Sequence, residues 1–203
     1  MAKRNFKKLH KDLYQPSAKA PAMVDVPPMN FAMIDGEGDP NTSEWFAQAT
    51  EALYSVSYAL KFAVKKMDAE LDYTVPPLEG LWWSDDPADF DLADKSGWLC
   101  TLMIMQPEPV DEEMFIDAAV TVQEKKNLPG LMEMRFDTIE AGRCATIMHI
   151  GPYAEEDPTV ARLHQFIADQ DLQLAGKHHE IYLGDPRKAA PEKLKTAIRQ
   201  PVA

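Results

Sequence analysis

Several things are scarce in this 203-residue chain, and each scarcity narrows the reading. Cysteine occurs only twice. Cys100 and Cys144 lie far apart, each within an expected strand, so they read as reduced, buried thiols rather than a disulfide framework or a metal site. No apolar run approaches the length needed to cross a bilayer, so no membrane partner is expected. Residues 1–11 carry Lys3, Arg4, Lys7, Lys8 and Lys11, yet the apolar core of a secretory signal does not follow them. A cytoplasmic location is therefore expected. Positive charge is short as well, with 21 basic against 33 acidic side chains and a net charge of −12. The first eleven residues take five of those basic side chains and no acid. The remaining body repels phosphate backbones, which argues against nucleic acid and favours neutral or cationic ligands. The basic arm is a solvated helix start, a patch against the protein's own acidic body, or a contact for an acidic protein partner.

What is present is enough for a substantial core, with 45% hydrophobic and 27% charged residues. The expected organisation is a basic arm over 1–20 and one domain over 21–203. That domain divides into halves of about 21–109 and 131–203, joined by a helix over 111–126. Four prolines between 16 and 28 suggest an extended approach to a first strand at 30–34. Gly36 and Gly38 follow, but a third glycine is missing and acids surround them, so a plain turn is favoured over a phosphate cradle. Residues 43–67 form an amphipathic helix with Trp45, Ala49, Ala52, Val56, Leu60, Ala63 and Met67 on one stripe. Tyr54 and Tyr58 share the opposite side with Lys61 and Lys65. Two tyrosines there suggest cover by another element, such as the arm, or a partner contact. Strands are expected at 78–84, 98–105, 132–138, 143–150 and 193–200, and a helix at about 156–168.

The segment 176–186 is the most telling. Ile181 and Leu183 alternate with polar residues, and Gly184-Asp185-Pro186 closes the run, as in a short strand. Successive strand side chains point to opposite faces. His179, Ile181 and Leu183 therefore share a core face, and His178, Glu180 and Tyr182 share the other. A carboxylate beside a phenol on a rigid element can bind, or do chemistry on, a small molecule. The His178–His179 doublet points opposite ways and cannot chelate one ion, so neither metal nor cofactor is expected. The halves also repeat weakly: each runs strand, glycine turn, helix, strand, acidic proline turn, strand. Trp82-Trp83-Ser84-Asp85-Asp86-Pro87 answers Tyr182-Leu183-Gly184-Asp185-Pro186, and Ile104-Met105-Gln106-Pro107 answers Ile198-Arg199-Gln200-Pro201. The expected fold is α+β: duplicated β-α-β-β units with pseudo-twofold symmetry, antiparallel sheets forming a central cleft, and helices packed on the outer faces. Such an interface favours a ligand site.

Four ordered motifs carry a family resemblance. They are residues 35–40 (Asp-Gly-Glu-Gly-Asp-Pro), 78–83 (Leu-Glu-Gly-Leu-Trp-Trp), 149–153 (His-Ile-Gly-Pro-Tyr) and 179–186 (His-Glu-Ile-Tyr-Leu-Gly-Asp-Pro). With them the chain resembles the GyrI-like small-molecule-binding proteins, in the stand-alone branch without a DNA-binding domain. The resemblance implies an aromatic-walled cleft for lipophilic aromatic or cationic small molecules, with a buried glutamate near its floor. Some stand-alone members are cyclopropanoid cyclopropyl hydrolases, which open the spirocyclopropane of DNA-alkylating natural products; others only bind. By matched position, Glu180 is the glutamate, Tyr182 the tyrosine, and Trp82 and Trp83 the paired tryptophans. For hydrolysis, Glu180 would act on water as a base strengthened by desolvation, Tyr182 would donate to the substrate oxygen, and a tryptophan would stack on the ligand. Counting from the apolar residues puts Trp82 in the cleft, and counting from the Asp-Pro turns puts Trp83 there; Trp82 is preferred. His149 and Tyr153 flank the second strand-to-helix turn as ligand-contact candidates, though backbone could instead satisfy His149. His178 joins them by sharing the face of Glu180.

Overall fold

Alternating side chains and antiparallel registers bring eight strands into one sheet. They are β1 (Ala22–Val26), β2 (Met29–Glu37), β3 (Leu78–Trp83), β4 (Leu99–Met105), β5 (Arg135–Ile139), β6 (Gly142–Ile150), β7 (His178–Tyr182) and β8 (Lys195–Pro201). The computed structural model describes residues 3–38, 43–84 and 97–203; the turn residues Asp39 and Pro40 and the Asp85-Asp86-Pro87 stop lie outside them. The strand order is β1-β6-β8-β7-β3-β4-β2-β5. Read from either edge it is the same list with the halves exchanged, so β3 and β7 meet at a pseudo-twofold axis. This is the duplicated α+β architecture, with one addition. β1 leads the first half yet pairs with β6, and β5 leads the second half yet pairs with β2. Each half thus lends an edge strand to the other. Sequence reading gives β1 only as an extended approach, because prolines crowd it on both sides.

The registers also fix which residues are equivalent. Gly80 sits opposite both Glu180 and Leu102, while Glu180 sits opposite Ile198. Leu102 therefore corresponds to Ile198, and the match of Ile104 with Ile198 slips by two residues. A two-residue slip keeps every side chain on its face, so hydrophobic pattern alone cannot detect it.

Helix α3 (Glu44–Met67) buries Ala49, Ala52, Leu53, Val56, Leu60 and Val64 over the first half. Helix α5 (Asp157–Ala168) buries Val160, Leu163 and Ile167 on Ala145, Ile147 and Ile198. These helices lie outboard, leaving the central strands uncovered between them. Helix α4 (Glu112–Lys126) packs beside α3; Asp111 caps it, accepting from the Met114 N–H. At the end of α3 three expectations change. Ala63 and Met67 are exposed, because the buried stripe runs through Leu60 and Val64, whereas Lys61 is buried in an ion pair with Asp72, which folds back beneath it.

The arm forms two single turns, α1 (Phe6–Leu9) and α2 (Lys11–Tyr14), and buries Leu13 and Tyr14 on the reverse face of the sheet. Burying two such side chains contributes about 1.5–3 kcal/mol each. Tyr58 stays half exposed, so the arm does not cover that face of α3. Cys100 and Cys144 are buried in β4 and β6, and burial pushes their thiols up to about 12 and about 11. Among the described residues no helix is long and apolar enough to cross a membrane.

Candidate functional site

The site grows from one glycine on the axis. Gly80 faces Glu180 directly across β3 and β7. A Cβ there would stand 2.7 Å from Trp82 Nε1 and 3.1 Å from the Tyr182 hydroxyl oxygen. Its absence lets the indole and the phenol meet over the backbone. Trp82 Nε1 donates to the Tyr182 hydroxyl at 3.0 Å, and that hydroxyl donates to Glu180 Oε2 at 2.8 Å. The second carboxylate oxygen, Oε1, lies 3.2 Å from His178 Nε2. Burial first, then the Glu180 carboxylate, drives the Tyr182 phenol well above its ordinary range. At neutral pH it therefore keeps its proton and acts as a donor.

Register also explains why Trp82, not Trp83, belongs here. A twofold axis normal to the sheet preserves faces, so with Gly80 equivalent to Glu180, Trp82 is equivalent to Tyr182. Trp83 points to the other face, where Lys177 Nζ lies 3.1 Å from its ring centre.

Above this floor opens a cleft of about 1140 Å³. Trp98 packs against Trp82 at 5.5 Å, and Tyr153 meets Tyr182 edge to face at 5.5 Å. Burial, reinforced by Glu156 and Glu180, pushes the Tyr153 phenol up to about 12. Phe46, Thr50, Tyr54 and Tyr58 of α3 form one wall. The volume slightly exceeds that of an ordinary drug-sized pocket, and the seven aromatic side chains in its lining suit a planar ligand. A second cavity of about 510 Å³ lies between the arm and the reverse face, beside Tyr14, Met148 and Leu183, with no carboxylate among the described residues that line it.

The structure thus brings Glu180, Tyr182, Trp82 and Tyr153 together on the cleft. Trp83, His149 and His178 do not line it. Trp83 alternates away from it, as above. His149 is held locally, with Nδ1 3.0 Å from Thr159 Oγ1 and Nε2 3.2 Å from the Pro152 carbonyl. His178 is buried behind Glu180 and touches its carboxylate rather than the void. Sequence reading missed Trp98 and Phe46 and set Tyr54 and Tyr58 aside as packing or partner contacts. The signal was there for the last two: tyrosines four apart on a polar helix face form one surface ridge. Among the described residues no cluster of three or more metal-ligating side chains is placed to hold an ion.

A family model, the GyrI-like small-molecule-binding domain, matches residues 19–203. The chain belongs to that family. Among solved GyrI-like relatives, an uncharacterized conserved protein from Listeria innocua is 42% identical, with a TM-score of 0.90 over 99% of this chain and 100% of that one. A Listeria innocua protein described as a hydrolase is 40% identical, with a TM-score of 0.85 over 99% and 100%. The EcmrR C-terminal domain, 14% identical with a TM-score of 0.58 over 90% and 96%, shares the fold alone. No curated protein matches the chain. A GyrI-like domain binds small molecules, and here the cleft over Glu180, at about 1140 Å³, is the larger of the two cavities described above.

Proposed function

We propose that this protein binds lipophilic aromatic molecules in the cytoplasm and hydrolyses activated cyclopropanes of DNA-alkylating natural products, thereby detoxifying them. The observation that carries the reading is the Trp82–Tyr182–Glu180 hydrogen-bond chain at the floor of an aromatic cleft. A planar substrate would lie between Trp98 and the tyrosine wall, with its carbonyl oxygen toward Tyr182. Water forms a C–O bond to the cyclopropane CH2. The strained C–C bond breaks, and its electron pair passes into the conjugated ring to give a phenolate. Glu180 takes the proton from water. Because the Tyr182 proton points at Glu180 in the resting site, Tyr182 acts through a relay rather than as a ready donor. The newly protonated carboxyl hands a proton to the phenol oxygen as the phenol protonates the phenolate. The sum is addition of one water, with no cofactor or metal taking part.

The hydrolase description of a relative at 40% identity supports a reaction rather than storage. The closed hydrogen-bond chain supports the rival, a sequestering protein, because a carboxylate already satisfied by Tyr182 and His178 needs no substrate partner. In that case Glu180 would favour a cationic group on the ligand. Incubation with a duocarmycin-type spirocyclopropane separates the two. Turnover is expected to yield the water adduct, and Glu180→Gln to slow it by about 10²-fold or more. Equal, slow consumption by both proteins would remove the hydrolytic reading, and stoichiometric tryptophan quenching without turnover would leave sequestration.

A further inference from the structure

The cleft carries opposite charge at its two ends. Its floor holds the Glu180 carboxylate, while Lys7, Lys125, Lys126, Arg187 and Lys188 line its mouth. These five cations converge on a chain whose net charge is −12. They come from α1, the last turn of α4 and the loop after β7, so no single basic run explains them. Among the described residues two mouth carboxylates answer them. Glu51 lies 3.8 Å from Lys126, and Asp185 lies 2.9 Å from Arg187 and 3.6 Å from Lys188. Among the described residues neither Lys7 nor Lys125 has a carboxylate within ion-pair distance. Lys125 and Lys126 also complement the C-terminal end of α4, but that does not account for Lys7. Gathering like charges around an apolar opening costs free energy unless an anion enters, and such a mouth raises the local concentration of anions.

We infer that the cleft takes an amphiphilic aromatic anion, with its ring system over Trp98, Tyr54 and Tyr58 and its carboxylate, sulfate, sulfonate or phosphate at the mouth. This rests on the reading of the cleft as the ligand site, and it refines the ligand class. The neutral or cationic preference drawn from overall charge describes the surface; the mouth is of the other sign. An anion at that end lies away from Glu180, which then meets only the aromatic end.

Two fluorescent probes of like shape make the test. N-phenyl-1-naphthylamine is neutral, and 8-anilino-1-naphthalenesulfonate adds one sulfonate. Titrated into the full chain at low salt, with the anion displacing the neutral probe from the same site, the sulfonate is expected to bind about five-fold tighter or better. That advantage should collapse near 0.5 M salt, where the screening length falls to roughly 4 Å. The double variant Lys125→Glu/Lys188→Glu should erase it while leaving the neutral probe within about two-fold, since no apolar wall is touched. Equal affinities in the unaltered protein, or a double variant that weakens both probes alike, would overturn the inference while leaving the cleft reading in place. The rival for these cations is the chain's own run of aspartates at 85, 86, 89, 91 and 94, outside the described residues. Were it to neutralise them, the sulfonate would gain nothing, and the inference would likewise fall. If neither probe binds, the cleft reading and the inference fall together.

Discussion

The two faces of β3 and β7 carry the same three side-chain types and do different things with them. On the cleft face, Glu180 is bonded to Tyr182 at 2.8 Å and touches His178 at 3.2 Å. On the reverse face, Glu79 accepts from Tyr14 at 3.1 Å and meets His179 Nε2 at 2.8 Å. Glu79 and His179 are neighbours of the axis pair Gly80 and Glu180, so the two triplets stand nearly back to back. The reverse triplet is sealed under the arm, with Tyr14, Glu79 and His179 at 1%, 1% and 3% exposure, and Arg199 lies against it. Arg199 Nη1 reaches His179 Nδ1 at 3.5 Å and Nη2 donates to the Leu13 carbonyl at 3.0 Å. A guanidinium can only donate, so Nδ1 is the acceptor and the Nε2 proton points at Glu79. Glutamate, histidine and tyrosine therefore do not by themselves make a site; access does.

Exchanging the two carboxylates for amides gives the largest contrast. Glu180→Gln should remove about 10²-fold or more of turnover with little change in unfolding midpoint. Glu79→Gln should do the reverse. It leaves a buried donor facing an amide and removes the charge that offsets buried Arg199, a loss of about 3 kcal/mol, with turnover per folded molecule retained. Urea unfolding and single-turnover assays on both variants check this. The contrast breaks if Glu79→Gln abolishes turnover in protein that remains folded.

How much of this was legible in the chain follows from what strand alternation can and cannot carry. The alternation at 178–182 correctly separates Glu180 from His179, and the turn-bounded repeat gives the two halves and their meeting strands. Parity cannot reveal a two-residue slip, which is why the closing strands are mismatched. The exchange of β1 and β5 is a long-range pairing with no local mark. Nor does sequence give Glu79 a reason to be buried. Its partner Tyr14 lies 65 residues away, in an arm whose readable feature is its basic charge.

Filling the axis comes next in size. Gly80→Ala needs no unusual backbone, yet its methyl would press on Trp82 Nε1 and the Tyr182 oxygen. The floor must shift, at a cost of about 1–3 kcal/mol. Turnover should fall by roughly ten-fold or more, because the phenol loses its aim at Glu180 while the carboxylate itself remains. Loss of stability with unaltered kcat would mean that the Trp82–Tyr182 contact is only packing. A smaller effect is expected on the reverse face from Tyr14→Phe. Glu79 there keeps His179, so the loss should be about 1 kcal/mol in urea midpoint, with cleft ligand affinity unchanged. A change in that affinity would show that the two faces communicate through the arm.

The smallest effect is a slope. Burial lowers the His179 pKa although its hydrogen bond to Glu79 opposes this, and burial also lowers that of His164. In the unfolded chain a histidine titrates near pH 6.5. As pH drops below that value, the unfolded chain takes up protons that the folded protein refuses. Stability is therefore complete above about pH 6.5 and declines as pH falls toward 5. The carboxylates held low by partners, Asp35 by Arg135 and Thr101, Asp72 by Lys61 and Asp185 by Arg187, lose their contribution only in more acid solution, leaving this window to the histidines. One such histidine contributes at most about 1.4 kcal/mol per pH unit. His179→Gln keeps a donor for Glu79 but cannot titrate, so it should flatten the decline by up to that amount in urea midpoints measured between pH 5 and 7. An unchanged slope would mean that His179 accepts its proton inside the fold.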